Sequence, residues 1–373
     1  MNTKRTKPNT SGINAKKKVF VGLSGGVDSA VSAALLLEQG FDVTGVFIKV
    51  WSPEFLPCTW REERRDAMRV AAHLNIPFLF FDFEQEYKRG VADYMINEYK
   101  AGRTPNPDVM CNRVVKFGAF WDKAKELGAD FIATGHYAQI PNNQQGTINY
   151  RYELVEGKDE QKDQSYFLWT LTQGDLEHTL FPVGGFEKSR VRELAQKFNL
   201  PVAEKKDSQG ICFIGEITLE EFLSEFIETK RGDVLDTHGQ KIGTHKGAIF
   251  YTLGERHGFD VTTKKPDDGA FYVVSKDMKA NTITVSSDIQ EIESLSHKTF
   301  ILSGVNLLSD IQDIESARIR YRGKKIPVVL KKEDHHYIAE FKESERGVSI
   351  GQSMVFYKGN HCLGGGIIEN LMN

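Results

Sequence analysis

A doubly wound α/β domain with a parallel sheet, followed by a small central β-rich domain and a C-terminal β-barrel, is the fold class this sequence predicts. The first third of the chain alternates strand-like and helix-like segments, the pattern of βαβ units around a parallel sheet. A glycine-rich turn joins the first strand to the first helix. After about residue 218 the pattern changes to short alternating segments separated by Gly, Asn and Asp, which suits small β structures.

The elements follow in order. Residues 18–23 form an apolar strand, and 28–39 a helix whose Ala30, Val31, Ala34 and Leu35 share one face before Gly40 stops it. Residues 43–50 are a second strand. The helix 62–74 sets Ala67, Val70, Ala71 and Leu74 at i, i+3, i+4, i+7, and Asn75 and Pro77 end it. A third strand runs over 78–83, helices over 84–101 and 112–127, and a fourth strand over 130–134. Residues 141–161 read as a polar, exposed excursion. Helices are expected over 187–199 and 219–226, and strands over 270–275, 282–285, 300–302, 316–321, 327–330, 337–341 and 353–357. The expected division is a disordered basic tail over 1–17, an α/β domain over 18–218, a central domain over 219–295 and a barrel over 296–373.

Composition narrows the class. The chain has 373 residues, 40% hydrophobic and 27% charged, the make-up of a soluble globular protein. No apolar run approaches the roughly 18 residues of a membrane helix, so no membrane partner is expected. A net charge of -3 leaves any RNA contact to local basic patches. The tail is basic and has no apolar stretch, which argues against a secretory signal. The four cysteines, Cys58, Cys111, Cys212 and Cys362, form no CxxC pair. A zinc site therefore has no support, and a reducing, cytoplasmic setting is expected.

The chemistry is expected at the carboxyl ends of the parallel strands, where Ser24-Gly25-Gly26-Val27-Asp28-Ser29 joins strand to helix. The glycines let backbone N–H groups approach phosphate oxygens, and the helix N-terminus adds positive potential. Ser24 and Ser29 offer hydroxyls, and Asp28 a ligand for Mg2+. The loop lacks the lysine of GxxxxGK(S/T). Cys111 reads as lying just before a helix that starts at Asn112, where a thiol pKa falls. Asp108 lies three residues upstream, placed to trade protons with a substrate. Cys212 reads as lying in a glycine-bearing turn between domains. Cys58 and Cys362 read as structural or incidental. Arg318, Arg320 and Arg322 fall at i, i+2, i+4, one face of a strand, and such a row can line a phosphate path.

SGGVDS resembles the signature of the PP-loop ATP pyrophosphatases. Further stretches resemble the bacterial tRNA-specific 2-thiouridylases: NPDVMCN at 106–112, TGHY at 134–137, KDQS at 162–165, DSQGICFIG at 207–215, LGERHG at 253–258 and RYR at 320–322. The likeness runs from about Lys18 nearly to the C-terminus; the basic tail and 52–57 stand outside it. It implies that Gly22, Leu23, Ser24, Gly25, Gly26, Val27, Asp28, Ser29, Ile48 and Gly135 bind ATP, with Ile48 where relatives often carry methionine. It implies that Asn106, Pro107 and Asp108 contact the target uridine, that Cys111 is the nucleophile and that Cys212 carries a persulfide. His136, Lys162, Asp163, Gln164, Arg320, Tyr321 and Gln352 would contact tRNA. The implied activity is ATP-dependent 2-thiolation of the wobble uridine in the Lys, Glu and Gln acceptors, with sulfur from a cysteine desulfurase or a relay protein. Cys111 and Cys212 are expected to form a disulfide on oxidation.

Overall fold

The computed structural model describes residues 16–56, 60–141, 151–206, 217–263, 269–293, 295–334 and 336–372. The first unit holds β1 (Lys18–Gly22), α1 (Val27–Glu38), β2 (Asp42–Lys49), α2 (Trp60–His73), β3 (Phe78–Asp82), α3 (Glu84–Tyr87), α4 (Asp93–Lys100), α5 (Pro107–Cys111), α6 (Phe120–Glu126), β4 (Phe131–Ala133), β5 (Ala138–Gln139), β6 (Leu154–Glu156), α7 (Gln173–Glu177), β7 (Thr179–Leu180) and α8 (Lys188–Lys197). Its sheet has the order β3-β2-β1-β4-β7, with every neighbouring pair parallel. Helices cover both faces of such a sheet, which is why β1 is an unbroken apolar run with Val19 and Val21 wholly buried.

The second unit opens with α9 (Leu219–Ser224) and continues through β8 (Gly232–Leu235), β9 (Lys241–His245), β10 (Phe259–Val261), β11 (Tyr272–Asp277), β12 (Thr282–Ser286) and α10 (Ile289–Glu293). Its sheet order is β10-β9-β8-β12-β11. The third unit is a closed ring of β13 (His297–Leu307), β14 (Ser316–Arg318), β15 (Ile326–Glu333), β16 (His336–Glu345), β17 (Ser353–Lys358) and β18 (His361–Met372). Strands run β13-β16-β15-β14-β17-β18, and the β13–β18 ladder closes the barrel. Closure removes the free edges that an open sheet would expose. Phe300, Phe341 and Phe356 fill its interior.

The structure departs from the sequence reading in several places. The helix expected from residue 112 begins at Pro107, because the Asn106 side chain accepts the Val109 N–H at 3.3 Å and proline occupies the first turn. It runs on through a π-helical stretch, Asn112–Ala119, into α6. Cys111 is thus inside a continuous helical path, and the helix-terminus argument for its thiol falls away. The 84–101 helix is likewise interrupted by a π-helical stretch, Lys88–Ala92. The polar excursion is not exposed throughout: Leu154 and Val155 are buried where β6 pairs with β18. The segment after β2 docks Trp51 and Phe55 near Phe226 at 6.1 and 5.9 Å, joining the first unit to the end of α9. Residues 1–15 of the expected tail, Cys58, and Cys212 with its neighbours 207–216 lie outside the described residues. No helix among the described residues is long and apolar enough to cross a membrane.

Candidate active site

The loop from Ser24 to Ser29 leaves β1 at the carboxyl edge of the sheet. Leu23 is fixed by its N–H donating to the Val46 carbonyl at 2.7 Å. Gly25 has φ +76, and a Cβ there would lie 2.5 Å from the Glu63 carbonyl oxygen of α2. Glycine is therefore required twice over, by backbone hand and by space. The Ser29 hydroxyl accepts from the Ser24 N–H at 3.3 Å and donates to the Gly26 carbonyl at 3.2 Å. Gly26 starts α1 without any side-chain cap. First-turn N–H groups of a twelve-residue helix therefore lack intrahelical partners, and such groups suit an anion. Gly135, just past β4, closes the other side: a Cβ there would sit 2.8 Å from the Ser29 nitrogen. Gly22 and Ile48 lie behind the loop, where a Gly22 Cβ would meet Ile48 Cδ1 at 4.0 Å.

Asp28 sits on the first turn of α1 and is not free. The Tyr137 hydroxyl donates to it at 2.8 Å, and the Lys188 ammonium donates to both its oxygens at 2.7 and 2.9 Å. No lysine follows this loop in sequence; the fold supplies one from α8. Its signal was legible, because Lys188 opens a helix, where a cation opposes the helix dipole. Tyr137 is held in turn: its N–H donates to the Gln164 side chain at 3.0 Å, and the Gln164 N–H donates to its carbonyl at 2.9 Å. Gln164 therefore braces the floor under Asp28.

On the neighbouring rim, α5 carries Asp108 in its first turn and Cys111 in its last. Cys111 is buried. Burial raises the Asp108 carboxyl above its ordinary value, and the Lys116 charge partly offsets this. Lys116 lies 3.5 Å from Nε2 of His136, whose Nδ1 lies 2.7 Å from the Thr134 hydroxyl. His136 is buried between the rings of Phe117 and Phe181. Burial and the Lys116 charge hold it well below the usual histidine range. Asn106 is committed to its helix cap, and the Tyr166 hydroxyl donates to the Ser353 carbonyl at 3.0 Å. Cys362 is buried, and burial pushes its thiol up to about 12, in keeping with a structural role.

The barrel faces this rim. The Thr104 N–H, just before α5, donates to the Ile350 carbonyl at 2.9 Å. Gly351, with φ +94, would place a Cβ 3.0 Å from Thr104 backbone atoms. Gln352 accepts from the Ser349 N–H at 3.2 Å in the same loop. The expected strand 316–321 ends at Arg318, so the three arginines do not form a row on one face. Arg318 turns inward to Glu156 at 2.8 Å and to the buried Asp163 at 3.3 Å. Asp163 also accepts from Gly157 and Ser165, so it braces the junction below the surface. The chain then turns through Arg320–Gly323, with Arg322 at φ +58. Arg320 keeps an exposed guanidinium, donating to the Arg346 carbonyl at 3.0 Å. Tyr321 packs on Phe167 at 4.5 Å between ring centroids, and Lys162 lies half-buried in the loop before Asp163. A groove of about 490 Å³ is lined by Glu156, Gly157, Glu160, Gln161 and Asp163 of this loop together with Arg318, Tyr321, Arg322 and Lys325.

A parallel sheet with a glycine loop at the head of an uncapped helix defines a doubly wound α/β domain, here bearing two β appendages. Three family models match in series: a tRNA methyl transferase HUP domain over 17–216, a tRNA methyl transferase PRC-barrel domain over 220–287 and an aminomethyltransferase beta-barrel domain over 297–368. The tRNA-specific 2-thiouridylase MnmA of Streptococcus thermophilus is 43% identical over 95% of this chain and 96% of its own length. That of Staphylococcus carnosus is 43% identical over 96% of each. The chain belongs to the tRNA-specific 2-thiouridylase family, a family of tRNA sulfurtransferases. A 4-thiouridine synthetase–RNA complex with bound ATP matches 56% of this chain and 50% of its own at 20% identity, with a TM-score of 0.34; so slight a likeness bears on nothing further.

Proposed function

We propose that this protein replaces the 2-oxygen of the wobble uridine of tRNA with sulfur, using ATP to activate the oxygen and a cysteine persulfide to deliver the sulfur. One observation carries the reading. The two halves of the site meet at consecutive residues: Gly135 lies against Ser29 of the loop, and His136 lies against Lys116, whose charge acts on Asp108. The relatives' names fix the base and the position on it; the acceptors are the Lys, Glu and Gln tRNAs.

In this reading Gly22–Ser29, Ile48 and Gly135 hold ATP. Asn106, Pro107 and Asp108 frame the uridine, the first two by starting the helix that presents Asp108. The uridine O2 attacks the α-phosphorus, the bond to the bridging oxygen breaks, and pyrophosphate leaves with that electron pair. Asp108 takes the N3 proton, as a buried carboxylate of raised pKa can near neutrality. A urea-type oxygen leaves poorly, whereas AMP leaves well. The terminal sulfur of a persulfide on Cys212 then adds to C2, and AMP departs with the C2–O pair. The Cys111 thiolate attacks the inner sulfur of Cys212. This frees 2-thiouridine and leaves a Cys111–Cys212 disulfide, which an external dithiol must reduce. Such a cycle belongs in the reducing cytoplasm, with sulfur supplied by a cysteine desulfurase or a relay protein.

Magnesium fits the site only in company with phosphates. Asp28 already holds Lys188, and no cluster of three metal-ligating side chains occurs among the described residues. An ion here would take Asp28, phosphate oxygens and waters, the ligand set Mg2+ favours, and it would screen phosphate charge. Lys162, Gln352, Arg320 and Tyr321 face the tRNA, while Asp163, Gln164 and His136 position their neighbours.

The test combines ATP, tRNA and a desulfurase with wild-type protein and the variants Cys111→Ser and Cys212→Ser. Wild type should yield 2-thiouridine by mass of the digested RNA, together with AMP and pyrophosphate. Cys111→Ser should accept labelled sulfur on Cys212 and make no product; Cys212→Ser should accept little. Full thiolation by Cys212→Ser would sink the two-cysteine scheme, and ADP as the nucleotide product would sink the adenylation step. Asp108→Asn should lower the rate by a factor of about 10² to 10⁴. Because the base form is lost as pH falls, the acid limb of the wild-type profile should lie above the pH at which an ordinary aspartate titrates.

A further inference from the structure

We propose that Lys116 is a catalytic cation of this site, set between the nucleotide loop and the uridine to hold the α-phosphate while it transfers. This rests on the thiolation reading above.

The geometry begins with a neutral histidine. A lysine ammonium only donates hydrogen bonds, so the 3.5 Å contact makes His136 Nε2 the acceptor and places the ring proton on Nδ1. That proton points to the Thr134 hydroxyl, 2.7 Å away. The imidazole is buried between Phe117 and Phe181, with ring centroids 5.7 and 5.9 Å away, an environment that disfavours a second positive charge. His136 thus orients the Lys116 ammonium without cancelling its charge.

The setting gives the charge a task. His136 follows Gly135, where a Cβ would come within 2.8 Å of the Ser29 nitrogen at the head of α1. On its other side Lys116 acts electrostatically on Asp108, three residues from Cys111 on α5. The ammonium therefore lies where the phosphate end of one substrate must meet the base of the other. It comes from the π-helical stretch Asn112–Ala119, a wider coil than an α-helix, and such stretches often occur at functional sites. Adenylation builds negative charge on the non-bridging α-phosphate oxygens. A fixed cation in a partly dry site stabilises that charge far better than water does. Lys116 keeps its proton throughout; the bonds made and broken are those of the adenylation step.

The experiment compares wild type, Lys116→Gln and Lys116→Arg in the full-length protein. It measures pyrophosphate release with tRNA, ATP and tRNA binding, sulfur loading of Cys212 and thermal unfolding. Lys116→Gln should release pyrophosphate about 10² to 10³ times more slowly, while binding tRNA and loading sulfur as wild type does. Lys116→Arg, which retains the charge, should recover most of that loss. Wild-type pyrophosphate release by Lys116→Gln would overturn the proposal. So would an equal loss in Lys116→Arg, or a loss matching the unfolded fraction, since either would assign Lys116 to packing. If wild type itself releases no pyrophosphate with tRNA, the thiolation reading has failed instead.

Discussion

The loop at Ser24–Ser29 and the turn at Arg320–Gly323 each follow a short strand and each carry polar side chains, yet they are built from different materials. The loop works through backbone. Its shape comes from Gly25 at φ +76, from an uncapped helix start and from hydroxyls bonded within six residues. The turn works through side chains whose partners are far away in sequence. Arg318, just before it, pairs with Glu156 and Asp163. Arg322 donates to the Gln161 carbonyl and lies over the Tyr321 ring. Arg320 and Arg322 both stay exposed, Arg320 with its side chain 55% exposed, whereas Arg318 is drawn inward. A site made of local backbone announces itself in a motif, whereas a charged side chain shows its purpose only once its partners are known.

Three substitutions test that contrast, in falling order of effect. Gly25→Ala attacks the backbone-built loop. It forces a left-handed conformation costing about 1–3 kcal/mol and drives a Cβ toward the Glu63 carbonyl. ATP affinity should fall by about tenfold or more, since each 1.4 kcal/mol is a factor of about ten. Unchanged affinity by calorimetry would mean that the loop's shape does not matter to the nucleotide. Arg318→Ala attacks the side-chain-built turn. It removes the cation beside the buried Asp163 and one of the two beside Glu156, which keeps Lys325 at 2.8 Å, and should cost about 1–3 kcal/mol in urea unfolding; a loss under about 0.5 kcal/mol would place Arg318 among ordinary surface charges. Arg320→Ala should leave folding almost unchanged, because an exposed ion pair contributes at most about 1 kcal/mol. It should lower the slope of log affinity for tRNA against log salt by about one unit. An unaltered slope would remove Arg320 from the RNA face.

Much of the fold was legible. The alternation through residue 134 gave the parallel sheet, because strands buried on both faces must be apolar and helices between them must be one-sided. The start of α5 was also legible in Asn106-Pro107, a cap followed by a first-turn proline, yet the reading placed the helix five residues late and set Cys111 at its head. The burial of Leu154 and Val155 was not legible. Their neighbours in sequence are polar, and they are covered only because β6 borders β18, some 200 residues on.

The sequence by itself determined the strand–loop–helix that presents Ser24–Ser29, the glycines that permit its shape, and the strand content of the C-terminal third. Periodicity and backbone preference act over a few residues and are written locally. Tertiary structure alone decided that Lys188 reaches Asp28, that His136 is a buried neutral acceptor for Lys116, that Arg318 faces inward, and that β13 meets β18 to close the barrel. Each depends on two groups distant in sequence sharing one poorly solvated place, where the pairing of charges and hydrogen bonds outweighs local preference.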